Sequence, residues 1–258
     1  MSKPSLSIVI PTYNEKDNIS KILEKLKIAL KDITYEIIFV DDNSPDGTSK
    51  EVKNFMKKSS ETRLIHRIGR RGLSGAVIEG IFAANSELVA VMDCDLQHDE
   101  TKLPDMIELF SRNTSLDIVI GSRFTEMGGI SDEAFSKIRQ LGSKITTLLV
   151  KKILNINSSD PLSGFFMVKK ETFLRSAESL QTQGFKILAD FLATSGKNIE
   201  IKEIGYRFKN RVAGESKMSF LTVLELIGLV FSQLFQGKVS IRFILFCMVG
   251  LSGIFVQL

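Results

Sequence analysis

Short apolar, β-branched runs alternate with helical patterns along the first half of this chain, and this alternation constrains the fold more than any other feature. The runs predict five strands, at residues 6–10, 36–40, 62–66, 88–92 and 117–120. Between the first two, apolar residues recur at the spacing of one helix face, at Ile19, Ile22, Leu23, Leu26 and Leu30. Strands separated by helices pair in parallel, so the sequence predicts an α/β fold with a mostly parallel sheet flanked by helices.

Polar segments directly follow four of the predicted strands, where parallel sheets bind their ligands. They read P-T-Y-N-E at 11–15, D-D-N-S-P-D-G-T at 41–48, D-C-D-L-Q-H at 93–98 and G-S-R at 121–123. The sequence lacks the glycine spacing of a dinucleotide-binding turn or a P-loop. We therefore expect any phosphate-bearing ligand to be held by something other than a glycine cradle.

The fourth predicted strand ends in a candidate metal site made of Asp93, Asp95 and Gln97. Three oxygen donors of this kind suit Mg²⁺ or Mn²⁺, with water and a substrate phosphate completing the coordination. The alternative is a loop whose aspartates cap a helix, because D-x-D alone is a weak motif. The preceding strand and Gln97 favour the metal site. His98 is interpreted as lying behind the metal ligands or on the surface, since Mg²⁺ prefers oxygen.

Asp42 lies at the tip of the second predicted strand, beside Asp41. An acidic residue in that position can accept hydrogen bonds from a ribose or from a base edge. The segment 43–47 is also a plausible tight turn, in which such acids serve turn geometry alone. The two roles are compatible, because the turn can fix the acid.

The C-terminal part of the chain is apolar enough to predict contact with a membrane. Residues 243–258 carry no charge, and residues 238–258 predict a transmembrane helix, the first of several if the chain is truncated. Lys238 and Arg242 flank the apolar run, which by the positive-inside rule puts the preceding domain on the cytoplasmic side. Residues 218–237, with Glu225 as their one charge, predict a helix lying in the membrane interface. A buried core helix is the alternative for the final run.

Composition excludes several other classes of protein. The net charge of +4, from 34 basic and 30 acidic residues, is too small to indicate a nucleic-acid partner. The two cysteines, Cys94 and Cys247, cannot build a disulfide framework or a structural zinc site, which favours a reducing compartment. The first apolar run is too short for a signal peptide.

Seven segments, in this order, resemble those of the family-two glycosyltransferases of the GT-A fold: PTYNE, VDDNSPDGT, VMDCDLQH, GSRF, DPLSGFF, GFKIL and RVAGESK. Within that family they are most similar to the polyprenyl-phosphate sugar transferases, among them the dolichyl-phosphate mannose synthases. The resemblance covers residues 7–217 and implies a GT-A (Rossmann-like) catalytic domain at 1–217, followed by the interfacial helix and the transmembrane helix.

The resemblance also implies the roles of individual residues. Contacts to the nucleotide-sugar donor fall on Pro11, Tyr13, Glu15, Val40, Asp42, Asp93, Asp95, Gln97, Lys186, Arg211 and Lys217. The resemblance implies that the acceptor phosphate is contacted by Arg123, Arg139 and Ser143, and that the metal is bound by Asp93, Asp95 and Gln97. Catalytic roles fall on Asp95, Arg123 and Asp160, where Asp160 is interpreted as a positioning acid rather than an obligate base.

The chemistry of such a transfer explains these residue types. A cation, arginines and lysines neutralise the leaving diphosphate, and a lipid monophosphate with a second pKa near ~6 needs no strong base because it is already ionised. The sequence thus predicts a metal-dependent, inverting transfer of a hexose, most simply mannose from GDP-mannose, onto a polyprenyl (dolichyl) phosphate. The alternatives are a UDP-glucose (or other UDP-sugar):undecaprenyl-phosphate transferase and a non-catalytic nucleotide-binding membrane protein. A nucleotide-sugar pyrophosphorylase is disfavoured, because its glycine-rich phosphate loop is missing.

Overall fold

The computed structural model describes residues 3–126, 128–130, 147, 148, 150–152, 156–180, 186–196, 199–209 and 246. Its strands are β1 Leu6–Thr12, β2 Tyr35–Asp41, β3 Thr62–His66, β4 Leu88–Val91, β5 Ile118–Ser122, β6 Gly129–Ile130, β7 Phe166–Lys169, β8 Ile201–Gly205 and β9 Arg207–Phe208. Its helices are α1 Lys16–Ala29, α2 Thr48–Met56, α3 Leu73–Ala83, α4 Leu103–Arg112, α5 Lys170–Ser176 and α6 Ile187–Ser195.

In this part of the chain a seven-stranded sheet has the order β3-β2-β1-β4-β7-β5-β8, and β6 pairs with β9 in a small second sheet. All five predicted strands are present, and β3 has the predicted bounds. β1 runs parallel to β2 and β4, whereas β7 lies antiparallel between β4 and β5. The predicted α/β fold with a mostly parallel sheet is therefore confirmed.

The central strands are buried on both faces, which explains why they read as continuous apolar runs. In β1 every residue is buried. Val9 packs into the core under α3, whereas Ile8 and Ile10 pack into the core under α1. The two layers approach closely, because a Cβ added at Gly80 of α3 would lie 2.3 Å from the Val9 side chain. The packed helices therefore fix the positions of the strand ends, and the polar loops start from these strand ends.

The predicted interfacial helix 218–237 and transmembrane helix 238–258 lie outside the described residues, apart from Phe246, and both stay predictions. Within the ranges described above, no helix has the length and apolar character needed to span a bilayer.

A buried carboxylate, Glu36, connects residues at the amino-terminal ends of the parallel strands, at the edge of the sheet away from the polar loops. Its oxygens accept hydrogen bonds from Ser7 Oγ at 2.6 Å, from Arg63 Nη1 at 2.7 Å, and from the backbone N–H and side-chain amide of Asn85 at 2.6 and 2.9 Å. Burial alone would raise the pKa of Glu36, but these bonds and the Arg63 charge lower it below its ordinary value of 4.5. The ionised carboxylate is therefore the form that the fold stabilises.

We expect Glu36→Gln to lower the free energy of unfolding by about 2 kcal/mol at pH 7, because an amide cannot accept from all of these donors. Since the folded pKa is lowered, the Glu36 contribution is fully present above pH 4.5 and is lost as the pH falls through the folded pKa. The difference between wild type and variant should shrink in acid. Urea unfolding of both proteins at pH 7 and pH 4 measures it, and an unchanged difference would contradict the assignment.

Candidate active site

The predicted site residues that follow β1, β2 and β4 lie at the carboxyl edge of the sheet, because these three strands are parallel neighbours. Pro11 and Val40 are register partners in β1 and β2, and the Asp42 backbone N–H donates to the Thr12 carbonyl at 3.0 Å. Val40 is buried in the core as a whole, with 0% of the residue exposed, so the predicted donor contact at Val40 has no exposed atom to support it.

Backbone-to-side-chain hydrogen bonds join the loops after β1 and β2. The backbone N–H of Asn14 donates to Ser44 Oγ at 2.9 Å, and that of Glu15 to Thr48 Oγ1 at 3.0 Å. Asp41 is fully buried and accepts from the Ser44 N–H at 3.0 Å. Asp41 therefore serves turn geometry, and it helps to fix the loop that holds Asp42 in place.

Asp42 is held by two partners that lie beyond β3. Its Oδ1 accepts from Arg67 Nη1 at 2.5 Å, and its Oδ2 accepts from the Gly72 N–H at 2.8 Å. Arg67 is itself buried and also pairs with Glu79 at 3.1 Å. Each carboxylate oxygen has two lone pairs, so Asp42 keeps capacity for a ribose or base donor. The role of Arg67 was not predicted from the sequence, because nothing in the local pattern links this residue to Asp42.

A second residue that the sequence did not single out is Arg71, which is exposed in the loop before α3. Its guanidinium lies 5.0 Å from the centroid of the Tyr13 ring, a cation–π distance. The neighbouring Arg70 instead pairs with Glu79 at 2.9 Å. Arg71 thus adds a positive charge beside the loop predicted to hold the nucleotide.

The D-C-D-L-Q segment turns sharply after β4, with Leu96 in the left-handed region at φ 65°. Asp95 and Gln97 are buried, and the Gln97 N–H donates to Asp95 Oδ1 at 3.2 Å. The Gln97 side-chain amide donates to the Lys209 carbonyl at 2.9 Å, and the Lys209 N–H donates back to the Gln97 carbonyl at 2.9 Å. This pairing leaves the amide oxygen of Gln97 as the atom suited to a cation.

These donors fit a divalent cation by their chemistry. Among the described residues, no three His, Cys, Asp or Glu side chains are grouped so as to hold a metal. Two carboxylates and one amide oxygen nevertheless suit Mg²⁺ or Mn²⁺, which use one or two carboxylates and take the rest of their shell from water and substrate phosphates. Asp93 is the more open of the two carboxylates, with 38% of its side chain exposed.

His98 is buried, so the interpretation that it lies on the surface is wrong. Its ring stacks on Phe165, with the centroids 5.3 Å apart, and it also contacts Tyr206 and Phe208. Burial lowers the pKa of His98 to about 4, against the attraction of Asp95 and Asp160 for its charged form. The imidazole is therefore neutral at physiological pH. No local sequence pattern predicts this burial, because the aromatic partners Phe165, Tyr206 and Phe208 lie far along the chain.

Arg123 and Asp160 form a buried, two-pronged ion pair. Arg123 Nε donates to Asp160 Oδ2 at 2.7 Å and Nη2 donates to Oδ1 at 2.8 Å, while the Arg123 backbone N–H reaches Oδ2 at 3.1 Å. Burial opposes the charge of Arg123, but the bonds to Asp160 raise its pKa. Asp160 is fully buried. The burial of Asp160 and its two bonds to the Arg123 side chain fit a residue that orients Arg123 rather than one that transfers a proton.

A cleft beside this ion pair contains both an acid and a base. It is lined by Pro11, Leu73, Val77, Val91, Asp93, Leu162, Ser163, Gly164, Phe166, Lys186, Ile187 and Leu188. Burial and the nearby Arg123 charge lower the pKa of Lys186, while Asp93 and Asp160 oppose that change. The cleft thus brings Asp93 of the metal motif together with the cationic Lys186, and the charge of Arg123 acts on Lys186 from nearby, an arrangement suited to a ligand with several negative charges.

Four predicted site residues lie outside the described residues, namely Arg139, Ser143, Arg211 and Lys217. Their roles stay predictions.

Comparison with known proteins gives related sequences over most of the chain. The profile described as Glycosyl transferase family 2 matches residues 7–175. A dolichol-phosphate mannosyltransferase of Pyrococcus furiosus is 36% identical over 257 residues, which is 98% of this chain and 70% of that protein. A protein of the same name from Mycosarcoma maydis is 33% identical over 224 residues, 84% of this chain and 74% of its own length.

Solved structures of glucosyl-3-phosphoglycerate synthase from Mycobacterium tuberculosis share the fold. The complex with Mg²⁺ and UDP has a TM-score of 0.66 at 16% identity, and the complex with Mn²⁺, UDP-glucose and phosphoglyceric acid has a TM-score of 0.62 at 17% identity. Each likeness covers 89% of this chain and 79% of that protein. At this level of identity the likeness shows a GT-A-like α/β fold and nothing finer.

Proposed function

Because this chain belongs to glycosyl transferase family 2 and is a glycosyltransferase, we propose that it transfers mannose from GDP-mannose to a polyprenyl phosphate such as dolichyl phosphate. The observation that carries the proposal is the shared cleft of Asp93 and Lys186 beside the Arg123–Asp160 pair. The names of the relatives supply the sugar and the lipid, since dolichol-phosphate mannosyltransferases match 98% and 84% of this chain.

The donor end of the proposed site separates a base-binding side from a phosphate-binding side. Tyr13 and Asp42 would bind the nucleoside at the ends of β1 and β2. Asp93, Asp95 and Gln97 would hold Mg²⁺ or Mn²⁺, and such a cation supplies charge neutralisation for the leaving diphosphate. Lys186 adds positive charge on the same side, and Arg211 and Lys217 are proposed to do so as well.

The acceptor end of the proposed site needs no general base. An oxygen of the ionised lipid phosphate attacks the anomeric carbon while the bond from that carbon to the diphosphate oxygen breaks, and the electron pair leaves with the nucleoside diphosphate. Attack opposite the leaving group inverts the anomeric centre. Both Asp160 oxygens are engaged by Arg123, so Asp160 holds that arginine toward the acceptor phosphate, with Arg139 and Ser143 as further proposed ligands.

A membrane partner follows from the proposed acceptor, because a polyprenyl chain stays in the bilayer. We propose that residues 1–217 form the catalytic domain, that residues 218–237 lie in the membrane interface, and that residues 238–258 begin a membrane-spanning part. Lys238 and Arg242 favour the cytoplasmic face for the catalytic domain.

Transfer should be selective for GDP-mannose and dolichyl phosphate and should require a divalent cation. Full-length protein in membranes would receive labelled GDP-mannose or UDP-glucose with dolichyl or undecaprenyl phosphate, before and after EDTA. We expect mannolipid to form, to fall at least about a hundredfold with EDTA, and to return with Mg²⁺ or Mn²⁺. Preferential use of UDP-glucose would favour the undecaprenyl alternative, and transfer unaffected by EDTA would remove the metal from the proposal.

A further inference from the structure

His98 is fixed by an aromatic enclosure rather than by the metal motif that it follows. Its ring stacks on Phe165 at an interplanar angle of 16°, and its edge meets Tyr206 at 82°. Phe208 closes a third side, with the ring centroids 5.9 Å apart. Only 2% of the residue is exposed, so the ring cannot turn freely.

Both the backbone and the side chain of Asp93 face this ring. The Asp93 backbone N–H donates to His98 Nδ1 at 3.1 Å, so Nδ1 is the unprotonated nitrogen. A neutral ring then carries its proton on Nε2. That nitrogen lies 3.7 Å from Asp93 Oδ2, beyond hydrogen-bond distance but close enough for the N–H dipole to attract the carboxylate.

Gly164 leaves room for this pair of residues. A Cβ at position 164 would lie 2.8 Å from Asp93 Oδ2 and 3.3 Å from His98 Cε1. Real Cβ atoms do not approach an oxygen that closely, so a larger residue would displace the Asp93 carboxylate or the imidazole. The next residue, Phe165, provides the face on which His98 stacks. The D-P-L-S-G-F-F segment therefore shapes the surroundings of Asp93 from the opposite side.

We propose that His98 and Gly164 are positioning residues that set the backbone and carboxylate of Asp93, so that divalent-cation affinity depends on them although neither binds the cation. This inference rests on the proposed function, in which Asp93 is a ligand. Residues that orient metal ligands in this way typically change metal affinity tenfold to a hundredfold when replaced.

The test measures Mn²⁺ affinity directly, in full-length protein with GDP present and no sugar transfer, by the electron paramagnetic resonance of free Mn²⁺. His98→Phe keeps a flat ring in the enclosure but removes the acceptor for Asp93, and we expect it to weaken Mn²⁺ binding at least about tenfold. His98→Asn restores an acceptor close to the position of Nδ1 and should recover part of the loss. Asp105→Asn is the control, since Asp105 lies on the surface of α4 and pairs with Lys102, and it should bind Mn²⁺ as wild type does.

Two further measurements keep the outcome clear if His98→Phe does not fold. Gly164→Ala should weaken Mn²⁺ binding by a similar factor, and ¹⁵N NMR of the His98 ring in wild type should show the ring proton on Nε2, because Nδ1 accepts from the Asp93 N–H. If both variants fold and bind Mn²⁺ with wild-type affinity, or if Nδ1 carries the ring proton, this inference is wrong and the proposed metal site still stands. Absence of Mn²⁺ binding by the wild type, or unchanged binding by Asp95→Asn, overturns the proposed metal site and this inference with it.

Discussion

Replacing Asp95 with asparagine should lower the rate of sugar transfer about a thousandfold while the fold stays intact. Asparagine has the shape of aspartate, and its amide oxygen can still accept the hydrogen bond that the Gln97 N–H donates at 3.2 Å. What the substitution removes is the negative charge that the proposed cation requires. We therefore expect loss of turnover and of Mn²⁺ affinity together, with the free energy of unfolding changed by less than about 1 kcal/mol.

Asp105→Asn is the matched control for Asp95→Asn. Asp105 lies on α4, its side chain is 51% exposed, and it pairs with Lys102 on the helix surface, so its loss should leave transfer and Mn²⁺ binding unchanged. Mannolipid formation and urea unfolding are measured for wild type, Asp95→Asn and Asp105→Asn. Together they show whether a loss of transfer comes from the missing charge or from misfolding. Full turnover in Asp95→Asn would show that this carboxylate does not hold a catalytic cation.

Four of the five strands that the sequence predicted correctly, β1, β2, β4 and β5, share one physical property, burial on both faces. A run such as β1 must be apolar at every position because α1 and α3 cover its two sides, and such a run can be read without knowing its neighbours. β7 and β8 were not predicted. β7 lies antiparallel inside a mostly parallel sheet, and the apolar character of β8, an edge strand like β3, is interrupted by the adjacent charges of Lys202 and Glu203. Their identity depends on the strands beside them.

The same distinction holds at the candidate site. Motif residues such as Asp42 and Asp95 follow strands directly, so strand prediction alone places them at one edge of the sheet. Their partners could not be read in this way, because Gly72 is 30 residues from Asp42, and Asp160 is 37 residues from Arg123. A hydrogen bond across that separation exists only once the helices have packed, and no local pattern encodes it.

Asp160→Asn should both destabilise the protein and suppress transfer, because it leaves the Arg123 charge buried without its counter-charge. Removal of one partner of a buried ion pair costs about 3–5 kcal/mol, and the guanidinium would lose bonds of 2.7 and 2.8 Å that fix its direction. We expect turnover to fall at least about a hundredfold at every pH tested. If Asp160 were instead a general base, the variant would lose stability as well, but the pH dependence of its rate would also change.

A double variant separates the structural from the chemical contribution of this pair. Arg123→Leu with Asp160→Leu replaces two buried charges by apolar side chains, a change that is often neutral or stabilising, so unfolding free energy should return to within about 1 kcal/mol of wild type. Transfer should not return, because no guanidinium would face the acceptor phosphate. Urea unfolding and mannolipid formation are measured for wild type, for Arg123→Leu and Asp160→Leu separately, and for the double variant. Recovery of transfer along with stability would show that the pair only holds the fold, and would remove Arg123 from the acceptor site.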